Sequence, residues 1–162
     1  MLPSLEILLA LPFAMAAAVV ATRGVSRGQL AWLAAAAPLL GMAILAWLTP
    51  AVLGGQVVGS QHAWLPQIGL AFTLRMDGLA WMFAWLVLAI GALVVMYAHY
   101  CLDAKDSASR FYCYLLLFMG AMLGLVLAGN LLLLVVFWEL TSISSFLLIG
   151  FWSQRQDARE GA

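Results

Sequence analysis

The sequence predicts an all-α integral membrane protein: a bundle of about five transmembrane helices with a short extended element in an outer loop. Three observations predict it. Hydrophobic residues make up 66% of the chain and charged residues 9%, and the mean hydropathy is +1.07. Soluble domains lie near about 45–50% apolar and about 25% charged. Apolar runs also recur at the length that crosses a bilayer core as a helix, about 20 residues. Finally, the basic residues collect on alternate connections, which is the pattern of a polytopic membrane chain.

Residues 1–53 hold the first two spans. Met1 to Thr22 is apolar apart from Ser4, Glu6 and early prolines. A cleaved signal peptide is the competing reading, with Ala14-Met15-Ala16-Ala17-Ala18 as a possible cleavage site. A signal carries its positive charge before the apolar run. Here Glu6 stands before it, and Arg23 and Arg27 follow it, so the stretch reads as a helix that stays. A polar turn from Thr22 to Gln29 leads to the second span, about Leu30 to Leu53. Pro38 inside that span removes a backbone donor and is expected to kink it.

Residues 54–78 form the long outer loop. Ile68, Leu70, Phe72 and Leu74 alternate at period two, as a short strand or hairpin arm with one apolar face does. Trp64 suits an interfacial anchor. Arg75 and Asp77 can form a surface pair, and His62 reads as a solvated loop histidine.

Residues 79–152 hold three more spans. Leu79 to Tyr100 carries Trp81 and Trp85 near one end and Tyr97 and Tyr100 near the other, an aromatic belt at each interface. Phe111 to Ala128 contains Gly120-Ala121-Met122-Leu123-Gly124, a spacing that lets helices approach closely. Gly129-Asn130 makes a tight turn into the fifth span, Asn130 to Trp152. Residues 153–162 are a polar tail. Arg23, Arg27, Lys105, Arg110, Arg155 and Arg159 fall on one side of this arrangement and Arg75 on the other. The positive-inside rule then sets the N-terminus outside and the C-terminus in the cytoplasm. Cys101 and Cys113 are read as packing residues near the cytoplasmic face, without a disulfide.

The formal net charge of +0 gives nucleic acid nothing to bind. No phosphate loop or metal-ligand cluster is visible, and no cofactor is implied. One acid stands inside a span. Glu139 lies near the middle of the fifth, where a charged residue costs about 2.5–3.5 kcal/mol on insertion scales. Chains that keep such a residue use it on ion or proton paths. At about 100° per residue, Ser142 lies about 60° from Glu139 and Ser145 about 120° on the same side, with Thr141 bordering the sector. This polar stripe is expected to face the bundle interior or a wet cavity, where its hydroxyls can bond the acid, hold water or relay protons. His99, near the cytoplasmic end of the third span, is a possible proton relay, with a plain interfacial histidine as the alternative. No Lys or Arg lies at Glu139's depth, so its basic partner is expected from outside these spans.

Three stretches carry a family resemblance: Arg75 to Leu79 (RMDGL), Phe111 to Met122 (FYCYLLLFMGAM) and Phe137 to Gly150 (FWELTSISSFLLIG). Through them the chain resembles the A-type subunit of the Mrp-type multisubunit Na+/H+ antiporters. It is similar at greater distance to the large antiporter-like subunit of respiratory complex I. The resemblance covers about Trp64 to Ala162 closely, and the first two spans match in character only. It implies that Glu139 is the essential acid of a proton path, paired in the family with a lysine of a later helix that this chain lacks. It further implies an N-terminal piece of a longer subunit, not active alone, in a hetero-oligomeric antiporter of the cytoplasmic membrane that exchanges Na+ for H+. The chain departs from the family at the turn before the fifth span, which often reads Asp-Asn and here reads Gly129-Asn130. Two other functions stay open: a proton-pumping subunit of a complex I-like NADH dehydrogenase, and a non-transporting scaffold that packs partners on its Gly120–Gly124 face.

Overall fold

The computed structural model describes residues 4–22, 25–65, 70–102 and 106–152. Five α-helices follow one another: α1 (Ser4–Ala21), α2 (Arg27–Leu53), α3 (Gly78–Cys101), α4 (Ala108–Leu127) and α5 (Leu131–Ile149). Each is long and apolar enough to cross a membrane. Between α2 and α3 lie two antiparallel strands, β1 (Val58–Leu65) and β2 (Leu70–Met76). The all-α membrane bundle is therefore the observed architecture, with the extended element present as a hairpin. Ile68, the side chain of Trp64, and the tail from residue 153 lie outside the described residues.

Local sequence explains the helix starts. Ser26 and Gln29 form a capping box, each side chain reaching the other's backbone N–H. Two orphan donors of the first turn are thereby satisfied, and α2 begins at Arg27 rather than at Leu30. Asp77 accepts a hydrogen bond from Ala80 N at 3.0 Å and caps α3. It also pairs with Arg75 at 3.7 Å, so the surface pair exists, but the cap is the part that fixes structure. Asn130 accepts from Leu133 N at 2.8 Å and caps α5.

The chain runs to and fro between a hairpin end and a loop end. At the loop end, the Arg27 guanidinium donates to the carbonyls of Leu102 (3.2 Å) and Asp106 (2.7 Å). The same end holds Arg110 at the start of α4, and Arg75 lies at the hairpin end. Near the hairpin end, the Trp81 indole donates to Thr49 Oγ1 at 3.2 Å, tying α3 to α2. Trp81 is therefore partly built into the bundle and not only an interfacial belt residue.

Helix α4 is the centre. Of its most apolar stretch 56% is buried, against 17% for α5. The two glycines of the GxxxG spacing serve this internal packing. The Phe13 ring of α1 sits where a side chain on Gly120 would be, 2.8 Å from an ideal Cβ, and the Phe137 ring of α5 occupies the same place at Gly124. Both glycines are buried. The face expected to pack scaffolding partners is thus filled by the chain's own aromatic rings.

The turn between α4 and α5 docks on the hairpin. Gly129 N donates to Thr73 O at 2.8 Å, and Ala128 bridges Leu74. The Asn130 amide donates to Ala71 O at 2.7 Å. A Cβ on Gly129 would meet the Thr73 carbonyl oxygen at 2.8 Å. That neighbour is backbone and cannot rotate away, which accounts for glycine at this point of the turn. Gly129→Ala is expected to destabilise the protein by about 1–3 kcal/mol, the usual cost of overpacking. Thermal melting of the purified membrane protein checks this, and an unchanged midpoint would contradict it.

Candidate functional site

The fifth helix presents one residue of a different kind from the rest. Glu139 is the ninth residue of α5 in chain order from Leu131, roughly 12 Å along the axis from the hairpin end at 1.5 Å per residue. Its rotation about the axis follows from packing. The buried residues of α5 are Leu133, Phe137 and Ser144. On the wheel they centre about 140° away from Glu139. Phe137 is the anchor, because Gly124 leaves the room its ring needs. Seating that ring against α4 turns Glu139, two residues on, to the opposite side.

Glu139 is accordingly exposed, and among the described residues its carboxylate has no hydrogen-bond or ion-pair partner. This corrects the expectation that the stripe faces the interior of these five helices. Ser142 is exposed as well and Ser145 is half-buried. Around the acid the helix is apolar and open: Val135 is 49% exposed, Trp138 59% and Ile143 60%.

The hydroxyls do not bond the acid. Thr141 and Ser142 donate to Trp138 O at 2.6 and 3.3 Å. Ser144, off the predicted stripe, is the buried one, and it donates to Leu140 O at 2.7 Å. Their donors are spent on their own helix, a common fate of Ser and Thr in a helix interior. The support expected of Ser142 and Thr141 is therefore not direct hydrogen bonding to Glu139 within the described residues.

His99 is exposed, stacks edge-to-face on Tyr100 with centroids 5.1 Å apart, and lines an apolar groove between α2 and α3 with Gly28 and Trp32. Glu139 stands on α5, on the far side of α4's packing. The structure does not bring these two residues together. It does bring together a pair that sequence reasoning missed. His62 Nε2 lies 3.0 Å from Glu6 Oε1, so the histidine read as solvated is tied to α1. Both cysteines are free.

Comparison with known proteins leads to the same stretch. Residues 128–162, which contain all of α5 and Glu139, match the family described as NADH:quinone oxidoreductase/Mrp antiporter, TM. The chain is 48% identical, over 98% of its length, to the A/B-type subunit of a probable K+/H+ antiporter of Rhizobium meliloti. It is 44% identical, over 84% of its length, to the A1 subunit of a Na+/H+ antiporter of Staphylococcus aureus. The chain is a relative of the A-type subunits of Mrp antiporters. It spans 16% and 17% of the length of these two relatives. Among solved structures, the Mrp complex from Dietzia sp. superposes with a TM-score of 0.71 at 32% identity, covering 90% of this chain and 16% of that one. A membrane-bound sulfane sulfur reductase, an archaeal respiratory membrane complex, also gives a TM-score of 0.71, over 90% of this chain and 23% of that one. At 23% identity, that second likeness is one of fold. The five spanning helices and the likeness to these membrane subunits make this a multi-pass membrane protein.

Proposed function

We propose that these five helices are part of a subunit of a monovalent cation/proton antiporter, and that Glu139 is its proton-carrying acid. The reading assigns the chain to a secondary transporter and not to a catalytic enzyme. It rests on one observation: a carboxylate exposed at mid-depth of an apolar helix, without a partner among the described residues, within the stretch shared with the antiporter family. A carboxylate there is expensive unless something faces it. Burial against a neighbour raises its proton affinity, and a cation on that neighbour lowers it. An acid held between those pulls binds and releases a proton as the neighbour's charge comes and goes. The neighbour is a further helix or another subunit of a hetero-oligomeric assembly, carrying a basic group at the same depth.

The protein sits in the cytoplasmic membrane with the hairpin end outside. Support comes from charge: Arg27 and Arg110 lie at the loop end and Arg75 at the hairpin end, the distribution the positive-inside rule associates with a cytoplasmic loop end. The exchanged ion is Na+, with K+ the alternative because relatives carry both names.

A second reading is a proton-pumping subunit linked to NADH oxidation, favoured by the respiratory half of the matched family's description. The test is dissipation of a pH gradient in vesicles holding the assembled complex. Added Na+ or K+ is expected to collapse the gradient without NADH. A gradient that responds to NADH and not to either cation would overturn the antiport reading in favour of the second.

A further inference from the structure

The pair at the hairpin end occupies a different part of the molecule from Glu139. Glu6 lies in the first turn of α1 and meets His62 of β1 across 56 residues of sequence. Strand alternation puts Ser60 on the same face of β1 as His62. Both border a pocket of about 590 Å³ between α1, the end of α2 and β1. Glu6 Oε2 and Ser60 Oγ are buried there, and Ser60 and His62 are the side chains of β1 that act on this carboxylate, His62 being the one that can carry a charge.

Among the described residues, few other charges reach it. Glu6 is the only ionisable side chain of α1, and the end of α2 lining the pocket has none. On β2, the partners of Ser60 and His62 are Leu74 and Phe72. Arg75 lies opposite Gly59, on the other face of the ladder, and is paired with Asp77. The charge on His62 therefore decides whether this contact is an ion pair or a neutral hydrogen bond. Histidine changes charge between about pH 5 and pH 8.

The hairpin also holds the start of α5. Thr73 O takes the N–H of Gly129, Ala71 O takes the amide of Asn130, and Asn130 caps α5. His62 and Ala71 lie close in the ladder, in the neighbouring pairs His62–Phe72 and Ala63–Ala71.

We propose that His62 and Glu6 form a second proton-binding site, whose occupancy sets how firmly the hairpin holds the first turn of α5. With His62 protonated, the ion pair pins β1 to α1, and the Gly129 and Asn130 contacts are held with it. Loss of that proton leaves a neutral hydrogen bond and a looser hairpin.

Hydrogen exchange on the purified, assembled complex tests this without any transport assay, so its outcome is separate from that of the antiport reading. After correction for intrinsic rates, residues 58–65, 70–76 and 131–134 are expected to be about two- to fivefold better protected at low than at high pH, the size a partly exposed ion pair gives. His62→Gln keeps a hydrogen-bonding group and is expected to abolish the difference in both segments, as is Glu6→Gln. A wild-type protein with no pH difference, or the same difference in His62→Gln, would overturn the proposal. A response in the hairpin without one in 131–134 would overturn the link to α5. Should Glu6→Gln fail to assemble, His62→Gln carries the test alone.

Discussion

Glu139→Gln is expected to reduce cation-driven proton movement to the level of vesicles without the complex, while the complex assembles in normal amount. The amide has nearly the volume of the acid and keeps hydrogen-bonding capacity, so the packing set by Phe137 and Gly124 is untouched. It also removes a charge that is costly at bilayer depth, which does not weaken folding. What is lost is the ability to take and give a proton. A positioned proton-transfer group is worth about 10²–10⁴ in rate where it acts, and a loss of at least about a hundredfold follows. Glu139→Asp keeps the function but withdraws the carboxylate by one methylene, so partial activity is expected. The check is initial rate per assembled complex in vesicles. Normal rates in Glu139→Gln would leave the acid a structural residue.

Gly124→Leu is the second large effect, and it acts through rotation. The Phe137 ring stands where the new side chain would go. Phe137 is 8% exposed and is one of the three buried residues of α5. Displacing it costs about 1–3 kcal/mol of overpacking and removes the contact that turns Glu139 outward. The amount of assembled complex is expected to fall, and the remainder to transport poorly. Phe137→Ala opens a cavity at the same place, with a cost of about 3–5 kcal/mol. Because the two substitutions share one contact, their effects should not add. Purification yield and melting of both single variants and the double variant check this. Normal yield and normal transport in Gly124→Leu would show that the seat does not orient the acid.

How much of the fold is legible in the sequence depends on the range of each interaction. Spans and the period-two arm of β2 show because each is local: twenty apolar residues, or alternation from Leu70 to Leu74. The start of α2 is legible too, in Ser26 and Gln29 at capping-box spacing, although the apolar run draws attention to Leu30. Strand β1, with Ser60, Gln61 and His62 at its middle, has no apolar alternation. Its residues from Val58 to His62 line a pocket beside α1 and the end of α2 and are mostly polar or glycine, so the usual signal is missing. The orientation of the Glu139 stripe is hidden for a different reason. Polar residues avoid lipid, which makes the interior of the bundle the natural guess. The rotation is instead set by a glycine on α4 that admits a ring from α5; the GxxxG spacing marks a close approach, but which distant residue fills it leaves no local mark. The Glu6–His62 pair is invisible for the same reason, since its members are 56 residues apart. Glu139 itself needs no structure: one acid in the middle of an apolar span announces itself.

Whether Glu139 carries the transported proton is open to direct observation. Cation-induced infrared difference spectroscopy on the reconstituted complex reads it, because a protonated carboxyl has a carbonyl band that its carboxylate lacks. Adding Na+ or K+ to the wild-type complex is expected to remove such a band as the acid gives up its proton. The band should be absent from Glu139→Gln. The same band, lost in the same way from the Glu139→Gln complex, would place the proton on another group and contradict the role assigned to Glu139.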